Sequence, residues 1–154
     1  MAEAQEWKNE FLGTWKRAAE YSVELAEIMP EEKYDYTPSE NVRSFRGQLE
    51  HIIQNLYMLN GRFVLDDFQR VQIAEDASKE EVIKAMKTSF EYVYSTLLNM
   101  DEEQLEGKIK FFTGDEFSRR HIFELMRDHM THHRGQLIIY LRMNNLEPPR
   151  YRGW

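Results

Sequence analysis

The chain contains no cysteine among its 154 residues. That excludes disulfide frameworks, thiolate zinc sites and cysteine nucleophiles. If thiol chemistry takes place here, the sulfur must arrive on a second substrate. Proline is scarce as well, with four residues. No stretch approaches the length of apolar residues that a membrane span needs. The N-terminal "MAEAQEWKNEF" is acidic and amphipathic, and it lacks the basic start and apolar centre of a secretory signal. A cytoplasmic location is the expectation from these missing signals. Excess positive charge is also lacking. Lys plus Arg is 20 against 27 for Asp plus Glu, a formal charge of −7. Phosphate binding needs a positive field, so neither nucleic acid nor a membrane surface is expected as a partner. Arg142, Arg150 and Arg152 form a local exception that charge balance explains as well as binding does.

What is present is ordinary globular composition, 42% hydrophobic and 31% charged. Its length suits one domain over residues 1–154, with a sizeable core. Four long helical patterns follow one another, with no clear strand alternation. The first runs from about Glu6 to Ile28, with Trp7, Phe11, Trp15 and Ala18 on its apolar face, and Pro30 and Pro38 stop it. The second starts at a capping Ser44 and carries Phe45, Leu49, Ile52, Leu56, Leu59 and Phe63. Gly61 is a weak point within it rather than a break. Ser78, followed by Glu80 and Glu81, opens the third. The fourth begins near Phe117 or Ser118 and ends near Asn144 or Asn145, before Pro148 and Pro149. Between the third and fourth, Ile109, Phe111 and Phe112 form either a short extended piece or a packed loop. The expected fold class is all-α, a four-helix bundle whose long connections permit more than the simple up-and-down order.

The segment "DHMTHHRGQL" holds three of the five histidines. A 3.6-residue period places Ile122, Met126, His129, His133, Leu137 and Tyr140 on one stripe. Side chains at i and i+4 lie roughly 6 Å apart on one face, a spacing that lets two imidazoles share a metal ion. A buried polar pair without an ion has the same pattern. His132 lies off the stripe by about 100°, so it flanks the pair. His121 reads as a helix-end residue. His51, on the second helix, sits in a polar strip with Ser44, Gln48 and Asn55. Such a strip is either the solvent boundary or the lining of an internal pocket. Trp7, Trp15 and the aromatic "SFEYVYSTLL" offer either core or a homodimer surface. Tyr34, Tyr36 and Tyr140 either pack a bundle end or line a cavity.

Taken together, "HMTHHRGQL" and "YTPSENVRSFRGQLEHI" resemble two segments of the DinB/YfiT-like family of metal-binding four-helix bundles. The resemblance covers nearly the whole chain. It implies an up-down-down-up bundle and a metal triad of one histidine on the second helix and two on the last. In this sequence these are His51, His129 and His133. Arg134, Gly135 and Gln136 match the rest of the motif. Gly135 costs about 1 kcal/mol relative to alanine in a helix, which a close approach by another helix would explain. Gln136 either supports the site or packs between helices.

Three imidazoles leave an open position on a divalent ion, and imidazole suits zinc, nickel and iron. Zinc or nickel is the first expectation. Characterised branches of the family imply transferases and isomerases that use a low-molecular-weight thiol such as bacillithiol or mycothiol. The implied partner is thus a small-molecule substrate, with the ion activating a thiol or a water. Glu50 and Asp128 neighbour the histidines in sequence but point about 100° away, so no general base for hydrolysis stands out. A metal-dependent hydrolase and a non-catalytic, stress-associated metal-binding protein are the alternatives.

Overall fold

A computed structural model describes residues 2–152. Four long helices, α1 (Ala2–Ile28), α2 (Phe45–Leu59), α3 (Lys79–Asn99) and α5 (Arg119–Met143), surround the core, with a short α4 (Glu102–Glu106) between the last two. Each long helix packs on two others, in the ring order α1, α3, α2, α5. The two connections that flank the α2–α3 pair therefore cross the ring. No described helix is long and apolar enough to cross a membrane.

Serines start three helices by accepting a backbone N–H: Ser44 from Gly47, Ser78 from Glu81 and Ser118 from His121. At Ser78 the Glu81 carboxylate reaches back to the Ser78 N–H, which closes a capping box. The α3–α5 connection contains a two-stranded antiparallel hairpin, β1 (Lys108–Lys110) with β2 (Glu116–Ser118). Of the two readings of Ile109, Phe111 and Phe112, the extended piece holds at Ile109. Phe111 and Phe112 lie in the turn that follows.

The core decides the place of Trp15, Tyr34 and Tyr140. Trp15 is 1% exposed and its indole N–H donates to the Phe90 carbonyl at 3.1 Å, so it is core and not dimer surface. Tyr34 and Tyr140 are buried as packing. Their hydroxyls donate to the carbonyls of Ala26 and Arg43, both at 2.8 Å.

Helix α2 does not end at Leu59. It widens into a π-helical turn, Asn60–Leu65, closed by Asp66 in the left-handed conformation at φ 55°. Gly61 is needed there, because a Cβ would stand 3.0 Å from the Asp67 carbonyl oxygen and 3.2 Å from the Phe68 Cα. The chain then turns back, so that Phe68, Arg70 and Val71 line a cleft shared with α2. Wide turns of this kind often mark functional sites.

Candidate metal centre

Helix α5 buries Ile122, Met126, His133, Leu137 and Tyr140 and leaves His129 half-buried, as the helical stripe requires. One turn of helix brings His129 and His133 onto the face that meets α2, where His51 projects between them. The Nε2 of His129 lies 3.1 Å from the Nε2 of His51 and 3.2 Å from the Nε2 of His133. One ligand atom from each of the three lies within 4.8 Å of the others. His121 and His132 stay outside this cluster. His121 is exposed, 3.9 Å from Glu124, and His132 is exposed on the outer face of α5.

Each imidazole nitrogen has a single in-plane site, so the Nε2 of His129 can form only one well-aligned hydrogen bond, and its two short contacts cannot both be good ones. Its other ring nitrogen, Nδ1, is buried with no partner. By contrast, three nitrogens held about 2.1 Å from one tetrahedral ion stand roughly 3.4 Å apart. The observed contacts are close to that spacing, and the residues present fit a divalent ion.

The protonation of His133 follows from Gln48. The Gln48 amide nitrogen donates to Gln136 Oε1 at 2.6 Å and faces the Tyr140 hydroxyl at 3.3 Å. That orientation turns Gln48 Oε1, which can only accept, toward His133 Nδ1 at 2.7 Å. Nδ1 therefore carries the proton and Nε2 offers its lone pair to the cluster. The chain continues outward, with Gln136 Nε2 2.9 Å from His132 Nε2. Sequence reasoning placed Gln48 on the polar strip but assigned it no role. The strip is in fact the lining of the site: Gln48 is 2% exposed, and Asn55 buries its Oδ1 without a partner.

Burial is the main reason that His129 and His133 are both held down to about 4, with neighbouring imidazoles adding to it. His51 is lowered by burial and by the positive charge of Arg43. All three are neutral near pH 7 and can donate lone pairs. Among the described residues no carboxylate joins the cluster. Glu50 is half-buried beside Arg46, and burial raises its pKa.

The DinB family model matches residues 1–152. The chain belongs to the DinB family. This DinB protein is 27% identical over 131 residues to the uncharacterised protein YjoA of Bacillus subtilis strain 168, covering 83% of this chain and 85% of that one. The crystal structure of that DinB-like protein superposes with a TM-score of 0.77 at 22% identity, over 94% of this chain and 99% of the other. A DinB-like protein from Bacillus cereus ATCC 10987 gives 0.77 at 16% identity, over 92% and 95% of the two chains. A DinB-family member from Exiguobacterium sibiricum 255-15 gives 0.74 at 17% identity, over 100% and 99%. At these identities the likeness is one of fold.

Two expected results arise here. In Gln48→Leu the tautomer of His133 is no longer set, and zinc affinity should fall about 10–100-fold, read by competition with a chromophoric chelator. Gly135 is different from the sequence expectation. A Cβ there meets nothing within 4 Å, so no helix approaches it, and nothing in the structure explains the glycine. Gly135→Ala should therefore raise stability by about 0.5–1 kcal/mol in a urea titration. An unchanged or lowered midpoint would contradict that.

Proposed function

We propose that this DinB protein binds one divalent transition metal through His51, His129 and His133 and acts on a small molecule, with a low-molecular-weight thiol as cosubstrate. Zinc or nickel is the preferred ion, and iron lies within the range of three imidazoles. The observation that carries the reading is the convergence of three neutral imidazoles, one of them held in the ligand-ready tautomer by Gln48. When bound, the ion supplies Lewis acidity that lowers the pKa of a thiol or a water. The protein's own part is to keep the imidazoles unprotonated by burial, to orient His133 through Gln48 and Gln136, and to leave His51 open to a cleft of about 400 Å³. Thiol activation is preferred over hydrolysis because no carboxylate stands in the cluster to take a proton from water. The cytoplasm, where small thiols are kept reduced, is the proposed location.

The test is a thiol-transfer assay on untagged, zinc-loaded and nickel-loaded protein. Bacillithiol and cysteine serve as thiols, and 1-chloro-2,4-dinitrobenzene as electrophile. A rate above the protein-free reaction that disappears in His133→Ala supports the enzyme. Full metal occupancy with no rate for any pair favours the non-catalytic metal-binding alternative.

A further inference from the structure

The cleft that opens beside His51 has a chemistry of its own. Its walls are α2, through Asn55 and Met58, and the returning segment, through Phe68, Arg70 and Val71. No aspartate or glutamate lines it, although acids outnumber bases in the chain by 27 to 20. Met58 and Val71 are half-buried and Phe68 is 47% exposed, which gives an apolar surface to one side. Arg70 is exposed, with no hydrogen-bond or ion-pair partner among the described residues. Asn55 adds a neutral polar residue to the wall.

We propose that this cleft binds an amphipathic organic anion. Its apolar body lies on Met58, Phe68 and Val71, and its carboxylate or comparable anionic group pairs with Arg70. A guanidinium recognises a carboxylate by paired N–H donors, which sets the preference for an anion over a neutral molecule of the same shape. The pull toward an anion is local, since the chain as a whole is negative. This inference rests on the proposed metal site only for which end of the ligand reacts. That end is the one nearest His51, and the apolar body and the anion extend away from it. The substrate class is thereby narrowed to molecules that join an apolar group and an anionic one.

The experiment is an amide chemical-shift titration of the 154-residue chain, zinc-loaded and metal-free, with 4-phenylbutyrate and with its neutral counterpart 4-phenylbutan-1-ol. The acid is expected to shift the amides of Asn55, Met58 and Val71 saturably and to bind more tightly than the alcohol by about tenfold or more. Arg70→Gln should bring the acid down to the level of the alcohol, and Arg70→Lys should restore part of the difference. Equal binding of the two probes, indifference to Arg70→Gln, or shifts confined to another surface would each overturn the proposal. Metal content is measured on the same samples. If no metal is taken up, the metal reading fails while the acid–alcohol comparison still reports on the cleft. If metal binds and the acid is not preferred, only the cleft inference fails.

Discussion

His133→Ala is expected to leave the protein essentially metal-free under conditions in which the wild type holds about one ion per chain. His133 is the histidine most firmly fixed in the site. It is 6% exposed, its Nδ1 is tied to Gln48 at 2.7 Å, and its Nε2 faces His129 at 3.2 Å. Removing an outer partner of a metal-bound histidine costs about 10–100-fold in affinity, so removing the imidazole itself should cost more than about 100-fold. His51→Ala and His129→Ala should behave in the same way. His132→Ala is the control, because it stands one residue from His133 and shares its chemistry. It touches the site through the far end of the Gln136–Gln48 chain and through an edge-on ring contact with His133 at 4.9 Å, and neither offers a ligand atom to the cluster. One exposed hydrogen bond is worth about 0.5 kcal/mol, so roughly a twofold change is expected. Chelator competition on the four variants reads the difference. Equal losses in His132→Ala and His133→Ala would mean that the ion, if any, is held elsewhere.

Trp15→Ala should produce the other large effect, on stability rather than on metal. The indole is 1% exposed, stacks on Phe11 at 5.9 Å and meets Phe90 edge-on at 5.6 Å. Its truncation opens a cavity between α1 and α3 and removes the second donor of the Phe90 carbonyl, which keeps its helical one. The expected cost is about 3–5 kcal/mol, against a total stability of about 5–15 kcal/mol for a domain of ordinary size. Trp7 is half-buried, and its indole N–H reaches only the Glu124 side chain at 3.2 Å, so Trp7→Ala should cost much less. A guanidinium titration at two protein concentrations measures both variants. A Trp15→Ala effect that vanished on raising the concentration would return this residue to an interface role.

The histidine cluster was legible in the sequence because it is made by two local rules and one tertiary contact. The spacing of His129 and His133 fixes their common face, and the apolar neighbours on that stripe turn it inward. That His51 meets them depends on how α2 packs on α5, and only the family resemblance supplied it. Helix starts were equally readable at Ser44, Ser78 and Ser118, where a side-chain cap has a sequence signature. Helix α1 begins earlier than its apolar stripe does, since the residues before Trp7 carry no periodic signal. Helix α4 was missed for the same reason: it is five residues long and only Leu105 is buried, although an Asp101–Gln104 capping box starts it. The strands of the hairpin are three residues each, too short for alternation to show. The role of Gln48 could not be read, because it needs Gln136 and Tyr140 of another helix to orient its amide. The wide turn after Leu59 was hidden too. Gly61 signals only a weak helix, while the reason for it is the backbone of Asp67 and Phe68 lying against it.

The most direct measurement is a calorimetric titration of zinc into untagged protein freed of metal by chelation, with elemental analysis of the protein as first isolated. The three-histidine site predicts one ion bound per chain, a matching equivalent of zinc, nickel or iron in the isolated protein, and a higher melting temperature after loading. No uptake of zinc or nickel, together with no metal in the isolated protein, would contradict it. The three imidazoles would then be a buried polar network, and the cleft beside them would have to act without a metal.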